Sequence, residues 1–376
     1  MRIKLGNMTS VTARVGFVSL KISFVHTCIT LMLLSTPSSL AQSSAQSSGQ
    51  GGRFPVQAAQ LERLYTLIQT RYVYPDRLEG KQIKAGLNLA PYAPKLSPAL
   101  EAQTLKRKSW TEVRDFYAGR IRAARDEKDA DAALEDMVEW LADNHSTYLT
   151  PARANAVKAR FGGNIPCINY SGQTRSGQTN LSRGRALETR LERGVGIVVL
   201  PDILGFDRTA NMRSALLELR GQGAKAFVLD VRGNPGGQLV DMVGLGGLFS
   251  RGVLWRLNLR GLLFPIPLPA LGAAEFKEPL AFVIDKNVNS AAEGLSGGLQ
   301  SVRRARVFGE TSAGNVEAVY PYCLPDGAIA FVASGQLAPW GGSSWEGKGV
   351  VPDGTGGLEG AVKWARGQIK PGQIKK

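Results

Sequence analysis

Lys225-Ala226-Phe227-Val228-Leu229-Asp230-Val231-Arg232-Gly233-Asn234-Pro235-Gly236-Gly237 is the stretch on which the fold turns. A short apolar run followed by a polar segment that ends in consecutive turn formers reads as a buried strand delivering a Gly-rich loop to one edge of a sheet. Gly236 and Gly237 can turn backbone N–H groups toward a ligand because no side chain intervenes. Immediately upstream, Val195 to Leu200 reads as a strand, and Thr209 to Gln222 as a helix with Met212, Ala215, Leu216 and Leu219 at helical spacing. Strand, helix and strand with short connections form a right-handed parallel crossover.

Downstream the unit repeats. Gln238 to Leu248 is expected to be helical, Leu280 to Ile284 a strand ending at Asp285, Ser290 to about Val302 a helix, and Ala305 to Phe308 a short strand. Between them, Val253 to Leu271 is apolar and broken by prolines. Ala328 to Val332 and Gly335 to Leu337 are short enough for edge or antiparallel strands, and Leu358 to Arg366 forms a last helix. The expectation is an α/β fold whose core, parallel strands with crossover helices, occupies residues 193–366, followed by a loose basic tail over 367–376.

Outward toward the N-terminus, helical spacing returns. Leu61, Leu64, Tyr65, Ile68 and Tyr72 form one stripe that stops before Pro75, and Val113, Phe116, Tyr117 and Ile121 mark a second helix over Trp110 to Ala124. Asp131 is placed to cap a third helix, Ala132 to Leu141, with Leu134, Met137, Val138 and Leu141 buried. An N-terminal helical subdomain over 54–150 follows, its last element delivering Asp143-Asn144-His145-Ser146-Thr147-Tyr148 to a loop. Residues 151–192 show little apolar periodicity and read as an irregular connector, and 42–53, rich in Ser, Gln and Gly, as a flexible segment. Residues 1–41 carry Arg2, Lys4, Arg14 and Lys21, an apolar run to Leu34, and Ser39-Leu40-Ala41 as a small-x-small site, which is the pattern of a signal peptide. A retained anchor is the other reading, although the run from Ile22 to Leu34 is shorter than a membrane-spanning helix requires. Export would place the mature chain in a periplasmic or extracellular setting.

Charge and cysteine content narrow the function classes. The chain has a formal charge of +15. Its basic residues are scattered, without aromatic interleaving or a zinc pattern, so nucleic acid is not the expected partner. Peripheral contact with an anionic envelope surface suits this charge better. Cys28 belongs to the export segment, and the sequence leaves the pairing of Cys167 with Cys323 open. The chain contains two histidines. His26 falls in the export segment, so His145 is the one imidazole available to the rest of the chain.

Ser290 lies in Asn287-Val288-Asn289-Ser290-Ala291-Ala292-Glu293. On a strand-to-helix turn its hydroxyl would face the crevice at the carboxyl edge of the sheet, with the Ala291 N–H turned toward any developing negative charge. Ser-x-x-Glu is equally the pattern of a capping box, and local sequence does not separate the two. A neighbouring Gly236-Gly237 loop would complete an oxyanion hole in outline. A nucleophilic serine needs a base, for which His145 is the candidate, and an orienting carboxylate, for which Asp230, Glu310, Glu346 and Asp353 are available.

Asp230-Val231-Arg232-Gly233-Asn234-Pro235-Gly236-Gly237, Ser290-Ala291-Ala292-Glu293, Gly309-Glu310-Thr311-Ser312-Ala313-Gly314 and Gly349-Val350-Val351-Pro352-Asp353 resemble, in this order, the blocks of the C-terminal processing (tail-specific) proteases, the S41 serine peptidases. The resemblance implies a crotonase-like α/β core and peptide-bond hydrolysis of a polypeptide substrate without a cofactor or metal. Where the processing proteases carry the lysine of a Ser-Lys dyad, this chain has Asn315. It is more similar to the tricorn-like and retinoid-binding-protein-like branch, which implies Ser290 as nucleophile, His145 as base, Glu346 as the orienting acid, and Gly236 and Ala291 as oxyanion donors. Glu293 and Asp230 are assigned to loop architecture. Residues 151–192 are too few for the PDZ domain that processing proteases insert, and none is evident. The run Leu262 to Pro269 lines a substrate cleft or, on the other reading, packs as core or lid. Two other functions remain open: a noncatalytic protein of the same fold binding apolar ligands or peptides, and, with less support from the His, Ser, Glu order, an esterase.

Overall fold

The computed structural model describes residues 52–79, 108–141, 143, 145–160, 167–169, 184–205 and 207–370. The expectations for residues 1–51 and for the end of the tail lie outside these. Along the chain run α1 (Pro55–Arg71), α2 (Pro75–Leu78), α3 (Trp110–Ala123), α4 (Glu127–Glu139), β1 (Thr147–Leu149), α5 (Pro151–Arg160), β2 (Ile168–Asn169), β3 (Glu188–Glu192) and β4 (Val195–Val199). They are followed by α6 (Arg208–Gly221), β5 (Ala226–Asp230), α7 (Leu239–Phe249), β6 (Val253–Leu259), β7 (Ile266–Pro269), β8 (Leu280–Ile284), α8 (Ala291–Ser301), β9 (Arg306–Gly309), β10 (Glu317–Cys323), β11 (Ile329–Pro339) and α9 (Gly357–Gly367).

One sheet has the order β3-β4-β5-β8-β9. Strands β4, β5, β8 and β9 are mutually parallel, and β3 adds an antiparallel edge whose side chains are all exposed. The inner strands read as unbroken apolar runs because both faces are covered. Val198, Phe227, Leu229 and Phe282 pack with Met212, Leu216 and Phe249 of the crossover helices, while Val195, Ile197, Val228 and Val283 pack with Ala361, Val362 and Ala365 of α9.

The second sheet, β2-β10-β11-β6-β7 with β1 also paired to β11, is six-stranded and largely antiparallel. The sequence did not foreshadow its extent. Ala328 to Val332 and Gly335 to Leu337, expected as two short strands, fall, Ala328 apart, within the single strand β11, which is held by β10, β1 and β6. The proline-broken stretch before Leu271 is the β6–β7 hairpin, with Leu263 and Phe264 exposed at its tip. Helices α1, α3 and α4 do not form a free-standing bundle: Leu64, Tyr117 and Leu134 share one core with Ala330, Val332 and Ala333 of β11. Helix α4 starts earlier than expected, because Asp126 rather than Asp131 caps it by accepting the Asp129 N–H at 2.8 Å. Asp129 then sits in the first turn, where the helix dipole favours its charge.

Of the span 151–192, expected as an irregular connector, the described residues include regular elements. They hold α5, β2 and β3, and Cys167 is disulfide-bonded to Cys323 with Cα atoms 5.3 Å apart. That bond ties the start of β2 to the end of β10. Helix α8 joins the two sheets. A Cβ at Gly298 would lie 1.9 Å from Trp255 Nε1, so only glycine lets the helix approach the indole, whose Nε1–H donates to Gly294 O at 2.6 Å. No helix among the described residues is long and apolar enough to cross a membrane.

Candidate active site

Adjacent parallel strands put their carboxyl ends side by side, so the loops after β5 and β8 meet. The Asn289 N–H donates to Asn234 O at 3.0 Å. Asn234 is fully buried; its Nδ2 donates to Leu200 O at 2.8 Å and its Oδ1 accepts the Gly236 N–H at 2.8 Å. Gly236 has φ +94°, and a Cβ there would lie 2.7 Å from Ser290 Cβ and 2.9 Å from Ala291 N. Glycine is what lets this loop abut the start of α8. Asp230 is held by Arg232 Nε at 2.9 Å, which supports its assignment to loop architecture.

Ser290 has φ 54° and ψ −123°. A non-glycine residue in that region carries backbone strain of the kind concentrated at functional sites. The surroundings over-determine it: the Ser290 N–H faces both Asn315 O at 3.0 Å and Glu293 Oε2 at 3.0 Å. Glu293, fully buried, also accepts at Oε1 from Ser312 Oγ and the Gly314 N–H, both at 2.6 Å, and at Oε2 from the Asn315 N–H at 2.9 Å. Burial raises its pKa and these donors pull against the rise, leaving it above the ordinary value. Glu293 therefore pins the 312–315 turn to the start of α8.

His145 is carried by the loop between α4 and β1. Asp143 Oδ1 accepts its N–H at 2.9 Å, and Ser146 Oγ accepts the Ala333 N–H at 3.0 Å, fixing the loop to β11. His145 Nδ1 lies 3.0 Å from Glu317 Oε2 on β10. Burial pushes the imidazole pKa down, but the hydrogen bond and charge of Glu317, with Asp143 and Asn315, outweigh it, so the net shift is upward. Burial likewise pushes the Glu317 carboxyl up, and His145 more than reverses it, leaving Glu317 below its ordinary value.

The structure thus departs from the expected constellation at two points. The carboxylate on His145 is Glu317, and Glu346 sits behind it. Glu346 Oε2 accepts the Val316 N–H at 2.9 Å, and its carboxyl lies close enough to that of Glu317 for the two to act on each other electrostatically. Glu317 was missed because no strand was expected there; the only signal was the β-branched and aromatic content of Val316-Glu317-Ala318-Val319-Tyr320. Asp353, another candidate acid, accepts the Val307 N–H at 2.8 Å, and the Glu310 N–H follows β9 onto Ile284 O. The second departure concerns Gly236, whose N–H is committed to Asn234. Of the two loop glycines it is Gly237 that lines the cavity, together with Ala291.

That cavity, of about 570 Å³, is lined by His145, Ser290 and Glu317 at its polar end. Val240 and Val243 of α7, Leu257 and Leu268 of the β6–β7 hairpin, and Leu337 supply apolar walls. The run from Leu262 to Pro269 therefore divides between roles, with Leu268 and Pro269 on the cavity and Leu263 and Phe264 in solvent. Among the described residues no hydrogen bond joins Ser290 to His145; the two share the cavity wall.

Residues 194–355, which contain this whole loop system except His145, match the family description "Peptidase family S41". These residues belong to the S41 peptidases. Carboxyl-terminal-processing peptidase 2 of Arabidopsis thaliana chloroplasts is 31% identical over 152 residues, which span 39% of this chain and 30% of the plant protein. The chain spans about a third of the length of the curated relatives it matches. In fold, it is similar to a lipoprotein from Streptococcus agalactiae, with a TM-score of 0.57 at 15% identity, covering 83% of this chain and 97% of the other. The photosystem II D1 C-terminal processing protease gives a TM-score of 0.55 at 16% identity, covering 85% and 100%. The S41 core and its helical and antiparallel surroundings together thus recur as one fold.

Proposed function

We propose that this chain is a serine-type peptidase working by acyl transfer through Ser290. The observation that carries the proposal is the strained Ser290 backbone, which sets the residue at the wall of the same apolar-walled cavity that His145 and Glu317 line. Ser290 Oγ attacks the scissile carbonyl as His145 takes its proton, and the Glu317 carboxylate at Nδ1 stabilises the imidazolium. The N–H groups of Ala291 and Gly237 hold the oxyanion. His145 returns the proton to the leaving amine, and water completes deacylation by the same route in reverse.

A peptide with an aliphatic side chain beside the scissile bond fits the apolar walls. Residues 1–41 as a signal peptide and the Cys167–Cys323 bond both agree with work outside the cytosol. The apolar cavity and the missing Ser290–His145 hydrogen bond favour a second reading, a noncatalytic binder. A fluorophosphonate probe separates the two: covalent labelling of the wild type that is lost in Ser290→Ala supports the peptidase. An unlabelled wild type that binds peptides reversibly supports the binder.

A further inference from the structure

The acid end of the site holds one carboxyl more than the mechanism uses. Glu317 Oε2 is taken by His145 and Glu346 Oε2 by the Val316 N–H, while Glu317 Oε1 and Glu346 Oε1 are both buried with no protein donor. Two neighbouring buried carboxyl groups, each with one oxygen lacking a donor, are satisfied together if a single proton lies between them. We infer that Glu317 and Glu346 form an acid pair sharing one proton, in which Glu317 is the carboxylate facing His145 and Glu346 the neutral acid donating to it.

The surroundings decide which partner keeps the proton. Glu317 faces His145, which favours its charge. Glu346 meets the Glu317 charge, and both carboxyls act on Tyr74, whose OH accepts from Gln336 Nε2 of β11 at 3.5 Å. Arg77 of α2 is the cation that acts on Glu346, and its Nη1 donates to Tyr72 OH at 2.9 Å, while the Asp143 charge in the α4–β1 loop acts on Tyr72 and His145. Burial first and the Glu317 charge second push Glu346 up to about 9, against the weaker pull of Arg77 and the Val316 N–H. The pair then carries one negative charge at neutral pH. When His145 accepts the Ser290 proton, the imidazolium meets that single charge and no proton moves between the carboxyls. Glu346 is a positioning residue, acting through Glu317.

This assignment rests on the peptidase reading for its kinetic arm only; its spectroscopic arm stands independently of that reading. In the full chain with 13C-labelled histidine, the His145 resonance is identified as the one lost in His145→Asn and titrated by NMR. Glu346→Gln, which keeps a neutral donor, is expected to leave the His145 pKa within about 0.3 unit. Glu317→Gln is expected to lower it by about a unit or more. With a peptide substrate, Glu346→Gln retains kcat/KM within about threefold, whereas Glu346→Leu loses about tenfold or more, in kcat rather than KM. A fall of about a unit in the His145 pKa of Glu346→Gln would show an ionised Glu346 and overturn the assignment. Equal losses in Glu346→Gln and Glu346→Leu, or wild-type kinetics in Glu346→Leu, would overturn it as well. If fluorophosphonate fails to label the wild type, the peptidase reading falls and the NMR titration still tests the pair.

Discussion

Among the described residues two Ser-x-x-Glu boxes stand at helix starts, and they do different work. At α3, Ser109 is extended, with φ −65° and ψ 156°; its Oγ accepts the Glu112 N–H at 3.3 Å, and Glu112 Oε2 accepts the Ser109 N–H at 2.7 Å. Both residues make a reciprocal cap at the surface. At α8, the same spacing places Ser290 at φ 54°, and Glu293 is buried, receiving donors from Ser312, Gly314 and Asn315 as well as from Ser290. The second box has been recruited to hold a serine in a strained pose at the cavity wall. The difference teaches that the motif fixes a local hydrogen-bond pattern, and tertiary context decides whether the serine stays at the surface or lines a cavity.

The sharpest way to break the comparison is to remove each hydroxyl. Ser290→Ala is expected to lower peptide hydrolysis by about 10³-fold or more and to abolish fluorophosphonate labelling, while thermal melting stays within a few degrees of wild type. Retained labelling would mean that the hydroxyl at α8 is a cap like the one at α3. Glu293→Gln should show the opposite profile. Its amide nitrogen would have to face two of the N–H or O–H donors now bonded to the carboxylate, so a loss of about 3 kcal/mol in denaturant unfolding is expected, with activity falling as a consequence. A wild-type unfolding midpoint would show that the α8 carboxylate does not anchor the 312–315 turn.

How much of this was legible before the structure follows from the same contrast. Strands β4, β5 and β8 were readable because burial on both faces produces continuous apolar runs, and the loop chemistry after β5 and β8 follows from turn residues. Ser290 and His145 were readable as candidates because they were the residues with the right chemistry at element ends. Glu317 was not, since it lies on β10, whose Pro321 and partly exposed side chains give no clean period, and whose pairing with β11 is set by tertiary contact. Gly236 and Gly237 could not be told apart, because the sequence does not reveal that Asn234 Oδ1 takes one of the two N–H groups.

The pH dependence tests the α8 side of the comparison from the base. His145 acts as base only when neutral, and burial, which lowers its pKa, is outweighed by Glu317. The acid limb of kcat/KM is therefore expected to rise through a midpoint above the ordinary histidine value of about 6.5. Its folded pKa being raised, His145 contributes stability that is full below about 6.5 and is lost as pH climbs through that midpoint. A midpoint at or below 6.5 in the kcat/KM profile would contradict the Glu317 pairing.

The smallest effect belongs to the surface box. Ser109→Ala removes the acceptor for the Glu112 N–H and one of the two Ser109 donors to Glu112, while leaving the buried Trp110, Val113 and Tyr117 stripe of α3 in place. A loss of about 1 kcal/mol by denaturant unfolding is expected, with kcat/KM unchanged, because the helix is held chiefly by its apolar face against α1, α4 and β11. A drop in kcat/KM without a stability change would mean that α3 communicates with the loop carrying His145, and the clean division between a structural and a functional box would fail. The packing argues for the division: α3 shares its core with α4 and β11, and these buried, close-packed residues are expected to confine the loss of one surface hydroxyl to the helix start.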